Sequence, residues 1–155
     1  MPLSHDQITR LIGMQKGARP DPKSYLPAEY IEKHLAKFTD GVSRIKAGPP
    51  QGTDGPPGGA YVMPKAVVAK MIDLAGGDVA FLEKELGLKS GALGANPVVV
   101  DIARPQNLRM PSGNEVGANE NWRPGGYTSG GTPEAVIDAA GEGTYTVTPA
   151  FQPKP

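Results

Sequence analysis

Residues 109–137, RMPSGNEVGANENWRPGGYTSGGTPEAVI, form the stretch around which the rest of the chain is arranged. This stretch contains the only tryptophan, Trp122, together with six glycines and many Asn, Ser, Thr and Glu side chains. Flexible linkers are repetitive and lack large side chains, whereas this stretch is neither repetitive nor free of them, and short apolar runs lie on both sides. We therefore expect a long, ordered loop on a rigid scaffold, which is where binding and catalytic groups concentrate.

The composition limits both the size and the partners of the protein. A chain of 155 residues with 38% hydrophobic content is long enough for one modest core, so one domain is expected. The 16 basic and 16 acidic residues cancel, which disfavours a large nucleic-acid duplex as a partner. Without cysteine and with two histidines, the chain lacks an ordinary zinc ligand set, so no metal is expected. No apolar run is long enough to span a membrane and no secretory signal is visible, so no membrane partner is expected.

Capping residues and helical spacing predict four helices, mostly in the first half of the chain. Ser4 begins a capping-box pattern, and Pro27 and Pro64 stand at positions typical of a first helical turn. Asp78 is a suitable N-cap for the last helix, and Gly87 is a suitable C-cap.

Short β-branched and apolar runs predict the strands, most of them in the second half. Because helices dominate the first half and the two do not alternate, the fold class is predicted as α+β. We expect N-terminal helices followed by a small, mostly antiparallel sheet that carries the long Gly-rich functional loop, with the last two strands paired as a hairpin. The predicted strands are VSRI (42–45), GAYVM (59–63), PVVVDI (97–102), NLRM (107–110), EAVID (134–138) and TYTVT (144–148).

The same pattern predicts the domain organisation. Residues 1–24 are expected to be a linker or an N-terminal helix outside the core, residues 25–150 the functional domain, and residues 151–155 a tail. The Gly/Pro-rich insert at residues 48–59 is expected to be mobile.

Two charged residues of predicted strands are candidates for a site. Arg44 stands between apolar neighbours that would hold its strand, and an arginine fork can grip a phosphate with two hydrogen bonds; the alternative is a surface charge. Glu134 stands at the start of an apolar strand beside the loop and would project a carboxylate from a rigid element; the alternative is a solvated edge residue.

Several further residues have a functional and a structural interpretation. His34 lies on the apolar face of the second helix, either as a catalytic residue or as a buried histidine with a backbone or carboxylate partner. Trp122 offers a face on which a base could stack, or it anchors the loop to the core. Tyr127, Thr128 and Ser129 place three hydroxyls between two glycine pairs, where they could approach a phosphate or ribose, or simply form a glycine-rich turn.

Four segments of the sequence together resemble the C-terminal toxin domains of bacterial polymorphic toxins, such as Rhs, contact-dependent-inhibition and secretion-system effectors. The resemblance covers roughly residues 25–147. It implies an antibacterial effector that is secreted or delivered into the cytoplasm of a target cell, with a cognate immunity protein and a delivery module as partners. The segments are YIEKHLAKFTDGVSRI, GGAYVMPKAVV, LEKELGL and the loop at residues 109–137.

A second resemblance concerns the order of three motifs, SRI, GAYVM and PEAVI, which is similar to that of ADP-ribosyltransferase-like, NAD-consuming folds. It implies that NAD is the substrate, that Arg44 holds its phosphate and that Tyr61 lines the nicotinamide pocket. It also implies that Glu134 stabilises the oxocarbenium-like ribose. Thr132 stands where these folds carry a second Glu or Gln, so plain NAD hydrolysis is as consistent as transfer to a protein. His34 completes the candidate catalytic set, while Trp122, Tyr127, Thr128 and Ser129 join Tyr61 as candidate NAD-binding residues.

Two alternatives remain open. The first is a metal-independent ribonuclease, in which His34, Lys46, Glu115 and Thr128 would supply acid–base groups and phosphate contacts. Nucleic acid is a partner under this alternative alone, and the neutral net charge counts against it. The second is a non-catalytic adaptor module of a secretion system.

Overall fold

A five-stranded sheet and four α-helices make up the protein. The computed structural model describes residues 1–152. The helices are α1 (His5–Gly13), α2 (Ala28–Leu35), α3 (Lys65–Ala75) and α4 (Val79–Leu86), with 3-10 turns at Pro22–Ser24 and Ala36–Phe38. The strands are β1 (Val42–Lys46), β2 (Ala60–Pro64), β3 (Val98–Ile102), β4 (Ala135–Ile137) and β5 (Thr146–Pro149). Within the described residues, none of the helices is long and apolar enough to cross a membrane.

The helix ends follow the predicted capping residues. The Ser4 side chain accepts a hydrogen bond from the backbone N–H of Gln7, and the Gln7 side chain accepts one from the backbone N–H of Ser4, so the capping box is complete. Asp78 caps α4 by accepting from the N–H of Ala80. Gly87 ends that helix in the left-handed region, at φ +70°, which glycine adopts without steric cost.

The strands pair in the order β4-β2-β1-β3-β5, and every pairing is antiparallel. The fold is therefore α+β, as the sequence predicted. The expected hairpin of the last two strands is wrong, because β4 pairs with β2 and β5 pairs with β3 at opposite edges of the sheet. All three residues of β4 are buried and all four of β5 are exposed, so burial rather than proximity in the chain decides their places. Residues 107–110, expected to form a strand, contribute a single bridge between Arg109 and Val136.

Successive strand residues point to opposite faces of the sheet, and apolar residues lie on both faces. On one face, Val42, Val62 and Val100 pack with Phe38, next to α2. On the other face, Met63 and Val99 pack against residues of α3 and α4. The sheet thus lies between two helical layers, and this arrangement holds β1 and β2 rigidly at its centre.

The N-terminal segment packs on the body of the domain. Leu3 and Leu11 are buried together with Leu26 and with Met110, which lies at the start of the long loop. Of the two expectations for residues 1–24, a linker or an N-terminal helix, the segment contains the helix, and that helix packs on the domain. The apolar stripe of α1 is short, but it matches an apolar patch formed jointly by α2 and the loop, which the sequence pattern does not reveal.

The Gly/Pro-rich insert is held in place rather than free. Asp54 is fully buried. Its backbone N–H and carbonyl exchange hydrogen bonds of 2.7 and 2.9 Å with Ala140. This differs from the expectation of a mobile insert, because one buried carboxylate and one backbone bridge anchor the middle of the segment.

The neighbouring strands β1 and β2 pair over only part of their length. β1 and β2 are in register at Val42↔Pro64 and Ser43↔Met63 alone, whereas β1 and β3 pair along five residues. Past Ser43 and Met63, the strands are joined through the insert instead of a tight turn. The sheet is therefore open between the last residues of β1 and the first residues of β2.

Candidate functional site

A pocket of about 190 Å³ lies at this opening in the sheet. Its walls come from β1, β2, the end of α4 and the long loop. Of the eight residues that the sequence singled out for catalysis or NAD binding, His34 and Tyr127 lie outside the lining. The other six line the pocket: Arg44, Tyr61, Trp122, Thr128, Ser129 and Glu134.

Glu134 contributes a buried carboxyl group to the pocket. The residue directly precedes β4, its N–H donates to the carbonyl of Gly126 at 2.8 Å, and it is 9% exposed. Burial, followed by the negative charge of Glu115, raises the pKa of Glu134 to about 8. Among the described residues, neither a hydrogen bond nor a cation offsets these two effects. The carboxyl group of Glu134 is therefore mostly protonated at neutral pH.

Glu115 is held in the opposite state. Its Oε1 accepts from the Tyr61 hydroxyl at 2.7 Å and from the N–H of Gly113 at 3.0 Å. Its Oε2 accepts from the N–H and hydroxyl of Ser112, at 3.0 and 2.7 Å. Burial by itself would raise the pKa of Glu115, but the hydrogen bonds from Ser112 and Tyr61 outweigh it and lower the pKa below its ordinary value. Glu115 is thus a fixed anion. The Ser-x-x-Glu spacing of residues 112–115, a capping pattern, is the signal for this arrangement in the sequence.

Tyr61 lines the pocket as a neutral phenol. Burial, together with the charge of Glu115 and the hydrogen bond to it, raises the pKa of Tyr61 well above its ordinary value. Because its hydroxyl is committed to Glu115, the orientation of the ring in the pocket is fixed.

Arg44 reaches the pocket from β1 and is part of a charged group of three. Its Nη1 lies 3.3 Å from Oδ2 of Asp54, and Nζ of Lys46 lies 3.0 Å from Oδ1 of the same carboxylate. Burial lowers the pKa of Arg44, and the nearby Asp54 opposes that shift. The insert approaches closely at Gly55, where an added Cβ would lie 2.6 Å from Nη1 of Arg44. Two cations share one carboxylate, so one positive charge remains at this end of the pocket.

The loop wall of the pocket is fastened to the end of α4. The side-chain amides of Asn119 and Asn121 each donate to the carbonyl of Gly87 at 3.0 Å. The hydroxyls of Thr128 and Thr132 donate to the carbonyl of Glu85. The last carbonyls of a helix lack hydrogen-bond donors within the helix, and these four side chains act as the donors. Much of the polar density in the loop is therefore structural.

Thr128 and Ser129 differ in what they can offer a ligand. The Thr128 hydroxyl also accepts a hydrogen bond from the N–H of Thr132 at 3.0 Å, so it has few bonds left to make. Ser129 is exposed and lines the pocket. Its hydroxyl lies close to Gly87, since a Cβ added to Gly87 would be 2.7 Å from it.

Trp122 has the anchoring role that was one of its two interpretations, while stacking of a base on its ring stays a prediction. It is 4% exposed and therefore anchors the loop, and its ring also forms part of the pocket wall. The guanidinium of Arg19 lies over the indole ring, with its Cζ 4.5 Å from the ring centroid. The indole N–H has no acceptor among the residues that the structure describes.

His34 lies behind the pocket, not in its lining. It is 2% exposed, and its Nε2 lies 2.9 Å from the backbone carbonyl of Glu134, so this nitrogen carries the proton. Nδ1 has no partner within residues 1–152, and burial lowers the pKa of His34. The ring stacks with Tyr30 and packs edge-on to Tyr127. This arrangement matches the interpretation of His34 as a buried histidine with a backbone partner. The hydrogen bond from His34 holds the backbone carbonyl of Glu134.

Tyr127 and most of the residues considered for a ribonuclease lie outside the lining of this pocket. The Tyr127 hydroxyl accepts a hydrogen bond from Lys37, outside the pocket. Of the four residues considered for a ribonuclease, only Thr128 lines the pocket, and Lys46 is committed to Asp54. Across residues 1–152, no three His, Cys, Asp or Glu side chains are grouped in a way that could hold a metal ion.

Comparison of the chain with models of known families and with curated proteins finds no match.

Proposed function

We propose that this chain is an antibacterial effector toxin domain that consumes NAD, as an NAD glycohydrolase or an ADP-ribosyltransferase-like enzyme. The observation that carries the proposal is the shared pocket of Arg44, Tyr61 and Glu134. These residues come from β1, β2 and the start of β4. The resemblance to ADP-ribosyltransferase-like folds assigns them to the phosphate, the nicotinamide and the ribose of one NAD molecule, and that assignment requires them to meet in one pocket.

The charges of these residues suit the reaction. Hydrolysis of NAD breaks the bond between C1′ of the ribose and the ring nitrogen of nicotinamide. The bonding electron pair moves to the ring nitrogen, which becomes neutral, while positive charge develops on the ribose. Water then adds to C1′ and gives up a proton. A Glu134 carboxylate would stabilise the ribose in the transition state, and Arg44 would hold the anionic pyrophosphate.

The protonation state of Glu134 sets a condition on this chemistry. With a pKa of about 8, Glu134 is mostly neutral in the empty pocket at pH 7. Stabilisation of the ribose needs the carboxylate form. The nicotinamide ring of NAD carries a positive charge, and a cation close to a carboxylate lowers its pKa. Substrate binding would therefore generate the form of Glu134 that the reaction uses.

The size of the pocket indicates how much of NAD it would enclose. Pockets that enclose whole drug-sized ligands measure roughly 300 to 1,000 Å³. The pocket here measures about 190 Å³. We expect it to take the nicotinamide and ribose end of the molecule and to leave the adenosine end at the mouth.

Expression in bacteria without an immunity partner tests the proposal. The wild-type chain should arrest growth and deplete cellular NAD while tRNA and rRNA stay intact. Glu134→Gln should lose on the order of a hundredfold or more in rate, because one electrostatic contact to the transition state is removed. Glu120→Gln is the matched control, since Glu120 is a carboxylate of the same loop with a side chain that is 69% exposed.

Other outcomes would assign the chain to the alternatives. Cleaved RNA with steady NAD would favour the ribonuclease, with His34→Ala as the next variant. Normal growth at verified soluble expression would favour the adaptor module. Under the toxin proposal, a cognate immunity protein should restore growth when it is co-expressed, and a delivery module should carry the domain into the target cell.

A further inference from the structure

The pocket combines two kinds of group that proteins use to bind cations. Tyr61 contributes an aromatic side chain to its lining, and Glu134 contributes a carboxyl group without a partner. The Trp122 ring also lines the pocket, but it is 4% exposed and Arg19 already lies over it. The Glu115 carboxylate lies directly behind the Tyr61 hydroxyl, at 2.7 Å. Aromatic faces attract cations through the ring quadrupole, and a carboxylate attracts them directly. Arg44 also lines the pocket, and its Nη1 lies 3.3 Å from Asp54, which it shares with Lys46. One positive charge therefore remains at that end of the pocket and acts against a cation there.

We propose that the pocket binds a nitrogen heterocycle in its cationic form and that Glu134 releases a proton when the cation enters. The site would thus distinguish an oxidised, positively charged pyridinium ring from a neutral ring. The inference rests on the proposed function for the identity of the ring, while the preference for a cation rests on the groups that line the pocket.

The proton balance follows from the surroundings of Glu134. The empty pocket holds the neutral acid, and a bound cation forms an ion pair with the carboxylate while the proton passes to solvent. Glu115 does not take up that proton, because its two oxygens already accept four hydrogen bonds. A neutral ligand provides no charge to replace the proton, so it binds without releasing one.

The other titratable groups near Glu134 do not change their protonation state to balance the charge of the cation. Tyr61 on β2 stays a neutral phenol. Arg44 on β1 keeps its charge and shares Asp54 with Lys46. His34 on α2 contacts the backbone carbonyl of Glu134 and is neutral, since burial lowers its pKa.

The proposal predicts a pH dependence of binding. Because protons compete with the cation for Glu134, affinity for a cation should rise by up to about tenfold per pH unit and level off near the pKa of Glu134, at about 8. Affinity for the neutral ring should not change over the same range.

Isothermal titration calorimetry on the full chain tests the proposal with two small probes. The first is 1-methylnicotinamide, a permanent pyridinium cation without a glycosidic bond, and the second is nicotinamide, its neutral counterpart. Titrations at pH 7 in two buffers of different ionisation enthalpy report the number of protons released. We expect the cation to bind roughly tenfold or more tightly than nicotinamide and to release about one proton.

Two variants identify the group responsible. Glu134→Gln should abolish both the preference and the proton release, and it should still fold because Gln replaces a carboxyl group that is neutral in the empty pocket. Glu120→Gln should retain both. Fluorescence of Trp122, the only tryptophan, checks that each probe enters this pocket.

The outcomes separate this inference from the proposed function. Equal affinity for the two probes, failure of the cation to bind, or binding of the cation without proton release would overturn the inference. Cation binding with proton release, in a chain that leaves NAD intact, would keep the inference and remove the proposed function. Consumption of NAD without a preference for the cation would do the reverse.

Discussion

The guanidinium of Arg19 lies over the indole ring of Trp122, with 4.5 Å between Cζ and the ring centroid. The same side chain donates to the carbonyls of Leu11 and Ile12 at the end of α1, at 3.0 and 2.9 Å. It also donates to the carbonyl of Gly113 in the loop, at 2.6 Å. Arg19 therefore connects the N-terminal helix, the long loop and one wall of the pocket.

Replacing Arg19 should destabilise the fold and loosen the pocket wall. Arg19→Ala removes three hydrogen bonds and a cation–π contact, so we expect the free energy of unfolding to fall by about 3 kcal/mol. The fluorescence of Trp122 should shift to longer wavelength as the indole meets more water. Arg10→Ala is the control, because Arg10 is an exposed arginine near the same helix end and should change stability by less than about 0.5 kcal/mol. Equal effects of the two changes in urea unfolding would contradict the role given to Arg19.

His34 should make stability depend on pH below neutrality. Burial lowers its pKa from 6.5, so the folded state disfavours the protonated ring. The stability associated with the neutral ring is present above pH 6.5 and is lost as the pH falls through the lowered pKa. His34→Gln keeps a side-chain N–H for the Glu134 carbonyl but cannot titrate, so its unfolding free energy should fall less between about pH 7 and pH 5.

His5→Gln is the matched control for that measurement. His5 is the other histidine of the chain and is exposed, so its replacement should leave the pH dependence of the wild type unchanged. A wild-type slope in the His34→Gln variant would show that another group carries the titration.

The features predicted correctly from the sequence are those with local causes. The capping box at Ser4 and the caps at Asp78 and Gly87 involve residues within three or four positions of each other, so their pattern is visible in the chain. The positions of Arg44 within β1 and of Glu134 directly before β4 are likewise set locally. The fold class follows from the order of such elements.

The features that the sequence did not reveal depend on partners distant in the chain. Asn119 and Asn121 bind a helix end more than thirty positions away. Because that partner is not visible in the local sequence, the polar composition of the loop resembled a ligand site. Asp54 is in a Gly/Pro-rich segment, and nothing in that segment shows that it is buried between Arg44 and Lys46. Long-range burial, not local propensity, decides each of these cases.

Asp54 should prove essential to the stability of the fold. Its side chain is fully buried, while those of Arg44 and Lys46 are 16% and 28% exposed. Asp54→Asn would leave two neighbouring cations without a counter-charge, and we expect a loss of about 3 kcal/mol in urea unfolding. Glu29→Gln breaks an ion pair with Lys33 in which both side chains are about four-fifths exposed, at 80% and 78%. The Glu29→Gln control should lower the free energy of unfolding by less than about 0.5 kcal/mol. If Glu29→Gln cost as much as Asp54→Asn, burial of Asp54 would not be the cause of the larger loss.

Glu134→Gln should stabilise the folded protein at alkaline pH even as it removes the proposed activity. The pKa of Glu134 is raised from 4.5 to about 8, mainly by burial. The stability associated with the protonated group is complete below pH 4.5 and is lost as the pH rises through about 8, because the wild type must then bury a charge. Gln stays neutral at every pH, so the variant should exceed the wild type by about 2 to 5 kcal/mol above pH 8, and the difference should shrink towards zero near pH 5. Urea unfolding of both proteins at several pH values measures this difference, to which His34 does not contribute because both proteins contain it. A difference that does not vary with pH would mean that Glu134 is ionised in the folded protein, and Glu120→Gln should show no difference at any pH.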